Sequence, residues 1–153
     1  MQEKINGFLI ENAISVFAVG DTVENIFQLH YGVTKCSSNG LFKQLIEYGS
    51  VATLNEFCEG QLLPQIFSQG KTKAILCKPT KNKIVILFLE SELNAKENYT
   101  KAIDLDLKVK TLFEWFKTIN SSLSFWKFNW ITTARTAATW KPTNHATAVF
   151  LYR

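Results

Sequence analysis

Two histidines and three cysteines hold most of the reactive side-chain chemistry in this chain. His30 lies in Phe27-Gln-Leu-His-Tyr31, at the end of a stretch whose pattern predicts an amphipathic helix. An imidazole there has two uses. It can serve as a general base near the mouth of a sheet, or it can sit at a helix C-terminus, bonded to the last carbonyls and favoured by the dipole. Cys36 precedes a predicted helix N-terminus, a setting that lowers a thiol pKa. Cys58 and Cys77 have apolar neighbours and read as small core residues. The histidines and cysteines lie far apart, without the spacing of a metal site. No glycine-rich phosphate loop and no Gly-x-Ser-x-Gly elbow is present.

The elements that must position these groups centre on residues 63–92. Lys73–Lys78 predicts one strand, Pro79–Asn82 a turn, and Lys83–Leu89 a second strand with six consecutive apolar positions. A short apolar run bounded by turn residues and rich in β-branched side chains suits a strand covered on both faces. Upstream, residues 3–19 predict a short helix and then a strand ending at Gly20. Asp21-Thr-Val-Glu24 has capping-box spacing and predicts a helix through Ile26, Phe27, Leu29 and His30. A further helix is expected from Leu41 to Tyr48. Thr53-Leu-Asn-Glu56 repeats the capping spacing before another, and Pro64 is expected to open a last helical turn ending at Gly70. Downstream, a helix is favoured from about Leu107 to Ile119, with Asp104 and Asp106 complementing its N-terminus. Phe125–Trp130 alternates rings and polar groups as a strand would, and Ala146–Tyr152 predicts a closing strand.

This order makes an α/β or α+β layer, a mixed central sheet with helices, in a single domain over residues 1–153. Hydrophobic content of 46% and charged content of 20% fit a globular protein rather than a disordered one. The net charge of +4 favours acidic partners. Its lysines are scattered, without the dense clustering of a nucleic-acid surface. No apolar run reaches the length of a membrane span. The start of the chain lacks the pattern of a secretory signal, and three unclustered cysteines fit a reducing compartment, so a cytoplasmic location without disulfides is expected.

Several short motifs resemble the toxin-activating lysine acyltransferases that acylate RTX cytolysins. Leu63-Pro64-Gln65-Ile66 is similar to that family's Leu-Pro-x-Ile element before the hairpin, and Val85–Tyr99 to the segment after it. Phe125–Ile131 resembles its Trp-rich strand, with Asn129 where the family has an aspartate. Leu29-His30 matches the Leu-His of its catalytic histidine, while Phe27 stands at the offset of a family serine. The resemblance implies an N-acetyltransferase-like fold, His30 and Asn129 as catalytic residues, and acyl carrier protein as donor. It further implies a protein lysine as acceptor and a cytoplasmic, dimeric enzyme. No bound cofactor is implied. The nearest match to a coenzyme A pyrophosphate loop, Arg135–Trp140, has neither of its glycines.

Two function classes follow. One is acyl transfer, with His30 as base or acyl carrier and Asn129 holding the imidazole through a neutral hydrogen bond. The other is a non-catalytic protein-binding module, a chaperone, immunity-type inhibitor or adaptor, on a degenerate acyltransferase-like fold.

Overall fold

A computed structural model describes the backbone of residues 2–137 and side chains through residue 118. The chain divides into two compact units, Met1–Phe116 and Lys117–Arg153. In the first, helix α1 (Gln2–Glu11) leads into strands β1 (Ile14–Asp21) and β2 (Ile26–Tyr31). A helical segment follows, made of α2 (Gly40–Phe42), a π-helical turn (Lys43–Glu47) and α3 (Val51–Phe57). Strands β3 (Gln65–Gln69), β4 (Thr72–Thr80) and β5 (Lys83–Glu90) come next, then helix α4 (Ala95–Ala137). The described backbone of the second unit, from Lys117 to Ala137, is helical.

The fold is α+β. Its five strands are ordered β2-β1-β5-β4-β3, and every pairing is antiparallel, where the sequence predicted a mixed sheet. The predicted hairpin is present, with β5 at the centre. Ile84, Ile86 and Phe88 face one core while Val85, Leu87 and Leu89 face the other, and all six are buried. On the second of these faces Ile5, Phe8 and Leu9 of α1 pack with Ala102, Leu105, Val109 and Phe116 of α4. On the first, Leu41, Leu45, Val51 and Leu54 cover the sheet. Burying a side chain of this size contributes about 1.5–3 kcal/mol, so β5 is the energetic centre of the fold.

Three predicted elements are differently built. The stretch after Asp21 is strand β2. Asp21 does cap, as its spacing indicated, with Oδ1 accepting from the backbone N–H of Val23 (2.8 Å) and Glu24 (3.2 Å). Here it closes a turn, completed by Asn25 at φ 55°, a left-handed conformation that asparagine tolerates. The turn after Pro64 is strand β3, and Gly70 at φ +57° lies in its hairpin with β4. Phe125–Trp130 continues the α4 helix rather than forming a strand. The predicted closing strand at 146–152 lies outside the described residues.

The helix caps also move. Ser50, not Thr53, is the N-cap of α3 and accepts from the Thr53 N–H at 3.1 Å. Asn25 of the first hairpin accepts from the Ala52 N–H at 3.1 Å, which ties α3 to the β1–β2 turn. Helix α4 starts well before Leu107, with a reciprocal box: Asn94 Oδ1 accepts from Glu97 N–H, and Glu97 Oε2 from Asn94 N–H. Asp104 and Asp106 therefore sit inside the helix and pair with Lys108 (2.9 Å) and Lys110 (2.6 Å) one turn on.

Candidate functional site

His30 is on edge strand β2, directly across from Phe17 of β1. Its ring meets Phe17 edge-on, with centroids 6.2 Å apart at 69°, and Phe17 in turn meets Phe8 of α1 at 5.7 Å. The imidazole thus extends an aromatic row at the margin of the α1 core. Partial burial penalises its charged form and lowers its pKa. This is a strand position, and the predicted helix C-terminus with its free carbonyls is not there. Asn129 lies on the helical backbone of α4 in the second unit, beyond the residues whose side chains are described.

Cys36 also departs from expectation. The helix that follows is three residues long and its N-cap residue, Asn39, makes no side-chain cap bond. Burial pushes the thiol pKa up; the Ser15 hydroxyl opposes this and the Glu90 carboxylate adds to it. Cys77 is buried beside Asp106 and its pKa is raised well above the ordinary thiol range, first by desolvation. Neither thiol is activated as a nucleophile in this state. Cys58 and Cys77 are core residues as expected, and all three cysteines are free.

The concave feature of this face is a cavity of about 520 Å³ between the sheet and the strap at 32–39. Ser15, Val16, Cys36, Phe42 and Phe88 form its interior, and the exposed Tyr31, Lys35, Asn39, Lys43 and Glu47 stand around its mouth. Three hydrogen bonds to the sheet fix the strap. Gly32 N–H donates to Ser15 O at 2.9 Å, the Ser37 N–H donates to a Glu90 carboxylate oxygen, and the Ser38 hydroxyl donates to Gln69 Oε1 of β3 at 3.2 Å. The Ser37 bonds hold the Glu90 pKa down.

A bulge in β1 shapes the cavity floor. Ile14 pairs with Leu89 and Val16 with Phe88, so Ser15 is an extra residue with no partner of its own on β5. Ile14 and Phe17 therefore share the α1 core, while Ser15 and Val16 both line the cavity. Sequence reasoning did not find Ser15. A bulge depends on the partner strand, and the alternation of one strand does not reveal it.

Among the described residues no group of His, Cys, Asp and Glu could hold a metal ion, and no helix is long and apolar enough to cross a membrane. No protein-family model matches the chain, and no curated protein matches it significantly.

Proposed function

We propose that this chain is a non-catalytic protein-binding module, an adaptor that docks an extended segment of another polypeptide along β3. The observation that carries this is the chemistry of that edge. Gln65-Ile-Phe-Ser-Gln69 ends the sheet, and it has neither the charges nor the proline that usually protect an edge strand. Apolar side chains cluster in the chain around it: Phe57, Leu62 and Leu63 are all exposed, and Phe57 meets Phe67 of β3 ring to ring at 6.5 Å. Unpaired main-chain groups supply affinity in such docking and neighbouring apolar side chains supply selectivity. A photo-crosslinking residue at Leu62 should capture a partner protein that the same residue at Gly7, on α1, does not. Ser68→Lys should abolish that capture. Equal capture from both positions would overturn the reading.

A second reading is acyl transfer from acyl carrier protein to a protein lysine, on an N-acetyltransferase-like fold with His30 as the general base. One observation favours it: the lowered pKa of His30 keeps the imidazole neutral near pH 7, as a general base requires. Transfer of a labelled acyl group from charged carrier protein, lost in His30→Ala and kept in Ser68→Lys, would establish it over the adaptor reading.

A further inference from the structure

We infer that β2 is a docking edge for a second copy of this chain, the two strands pairing antiparallel about a two-fold axis at Leu29. The strand ends the sheet, and Ile26-Phe-Gln-Leu-His-Tyr31 has no carboxylate, lysine, arginine or proline to protect it. One contact fixes its hydrogen-bonding phase. Gly32 N–H donates to Ser15 O, directly across the β1–β2 register, so the main-chain groups of Gly32, His30, Gln28 and Ile26 turn toward β1. Those of Phe27, Leu29 and Tyr31 turn away, and no described strand meets them. A two-fold axis at Leu29 sets Leu29 against Leu29 and Phe27 against Tyr31, so every one of these outward groups finds a partner. An axis one residue earlier would set Tyr31 against Asn25, whose φ of 55° takes it out of the strand.

Side chains and charges fit the same axis. Phe27, Leu29 and Tyr31 share one face of β2, and the pairing carries this apolar row across the boundary. Tyr31, 66% exposed, then lies against Phe27 of the other copy, and the Gln28 carboxamide lies opposite the His30 ring. Glu24 flanks the strand at one end and Lys35 at the other. Both are exposed, and neither enters an ion pair among the described residues. Antiparallel pairing brings Glu24 of each copy to the Lys35 end of the other, so opposite charges meet at both ends of the interface. Parallel pairing would set like charges together. This self-complementarity names a second copy as the occupant, and a two-fold contact of this kind closes at a dimer.

The test is sedimentation of the full chain at low ionic strength, from about 10 μM to about 1 mM, where an interface of one strand per copy should give a reversible dimer. Glu24→Lys and Lys35→Glu should each weaken it about threefold to tenfold, because like charges then meet at both ends. Mixing these two variants in equal amounts should restore association, since a mixed pair carries opposite charges at each end. Gln28→Lys, at an exposed position, should leave only monomer. The N–H groups of Phe27, Leu29 and Tyr31 should exchange with deuterium more slowly as concentration rises. A monomer throughout this range, a mixture that does not recover, or species that grow beyond two copies would overturn the inference. So would a dimer lost in Ser68→Lys and kept in Gln28→Lys, which would move self-association to β3. Partner capture at β3 can fail without changing any of these outcomes, because β2 and β3 are opposite margins of the sheet.

Discussion

His30 and Phe17 are cross-strand neighbours whose rings meet edge to face, 6.2 Å apart. The contact uses the imidazole as an aromatic body, and it has a consequence in acid. Burial depresses the folded-state pKa of His30 below its ordinary 6.5. The unfolded chain then takes up the proton first, so the stability contribution present above that value is lost as pH falls through the folded pKa. His30→Phe keeps a ring beside Phe17 and removes the proton site. Denaturant midpoints at about pH 7.5 and about pH 5.5 should differ more in the unmodified chain than in this variant. An identical pH dependence would mean that His30 titrates as it does in the unfolded chain.

Gly32 is held against β1 so closely that an added Cβ would lie 2.1 Å from the carbonyl oxygen of Ile14. Backbone is the obstacle, so no rotamer change relieves it. Gly32→Ala should destabilise the fold by about 1–3 kcal/mol, read from chemical denaturation. Gly7→Ala is the matched control. Its Cβ meets nothing within 4 Å on helix α1, and it should be neutral or stabilising by about 0.5–1 kcal/mol.

Asp21 closes the β1–β2 turn and pairs with Lys83 at the start of β5. Chiefly the bond from Lys83, and then the N–H groups of Val23 and Glu24, lower its pKa from 3.8 to about 2. Its contribution is complete above the ordinary carboxylate pKa and disappears as pH falls through about 2. Asp21→Asn keeps an oxygen for the turn N–H groups but gives up the charge. The variant should lose the steepest part of the acid unfolding curve measured by circular dichroism.

The three thiols should separate by access and pKa. In the folded protein an alkylating agent should reach the half-buried Cys36 first, slowly and faster at raised pH. Cys77, at 1% exposure beside Asp106, should react only through unfolding. After denaturation without reductant all three should be modified, as expected for a chain whose cysteines are free. Mass spectrometry of time points gives the order, and early loss of the Cys77 thiol would contradict the burial described.

The parts of the fold visible in the sequence are those whose signal is local. The apolar run of β5, its hairpin with β4, the α1–β1 succession and the helical segment from Leu41 carry their own period or punctuation. Strand β2 was obscured by a chemical ambiguity at Asp21. A carboxylate accepting from N–H groups two and three residues ahead starts a helix or closes a turn equally well. Pairing with β1 decided the outcome. Strand β3 holds five residues and its side chains are only half-buried or exposed, too little pattern to read. The Ser15 cavity depends on a two-against-one match between β1 and β5, which exists only after distant segments meet. His30 was legible as a candidate by type, but its setting came from the strand opposite.

The sheet order joins two sequence-local pieces, β1–β2 and β3–β4–β5, along a single line of pairing between β1 and β5, from Ile14–Leu89 to Asp21–Lys83. Each piece can form its own hairpins early, but the line between them closes over a long loop, which makes it the slow step of assembly. The same layout makes the molecule divisible. Val33, 82% exposed, lies in the connection between the two pieces and outside every strand and helix. A single protease cut beside it leaves every strand pairing intact. The two fragments should stay associated through β1 and β5 until denaturant parts them, and should recombine from separate solutions at a rate set by their concentration.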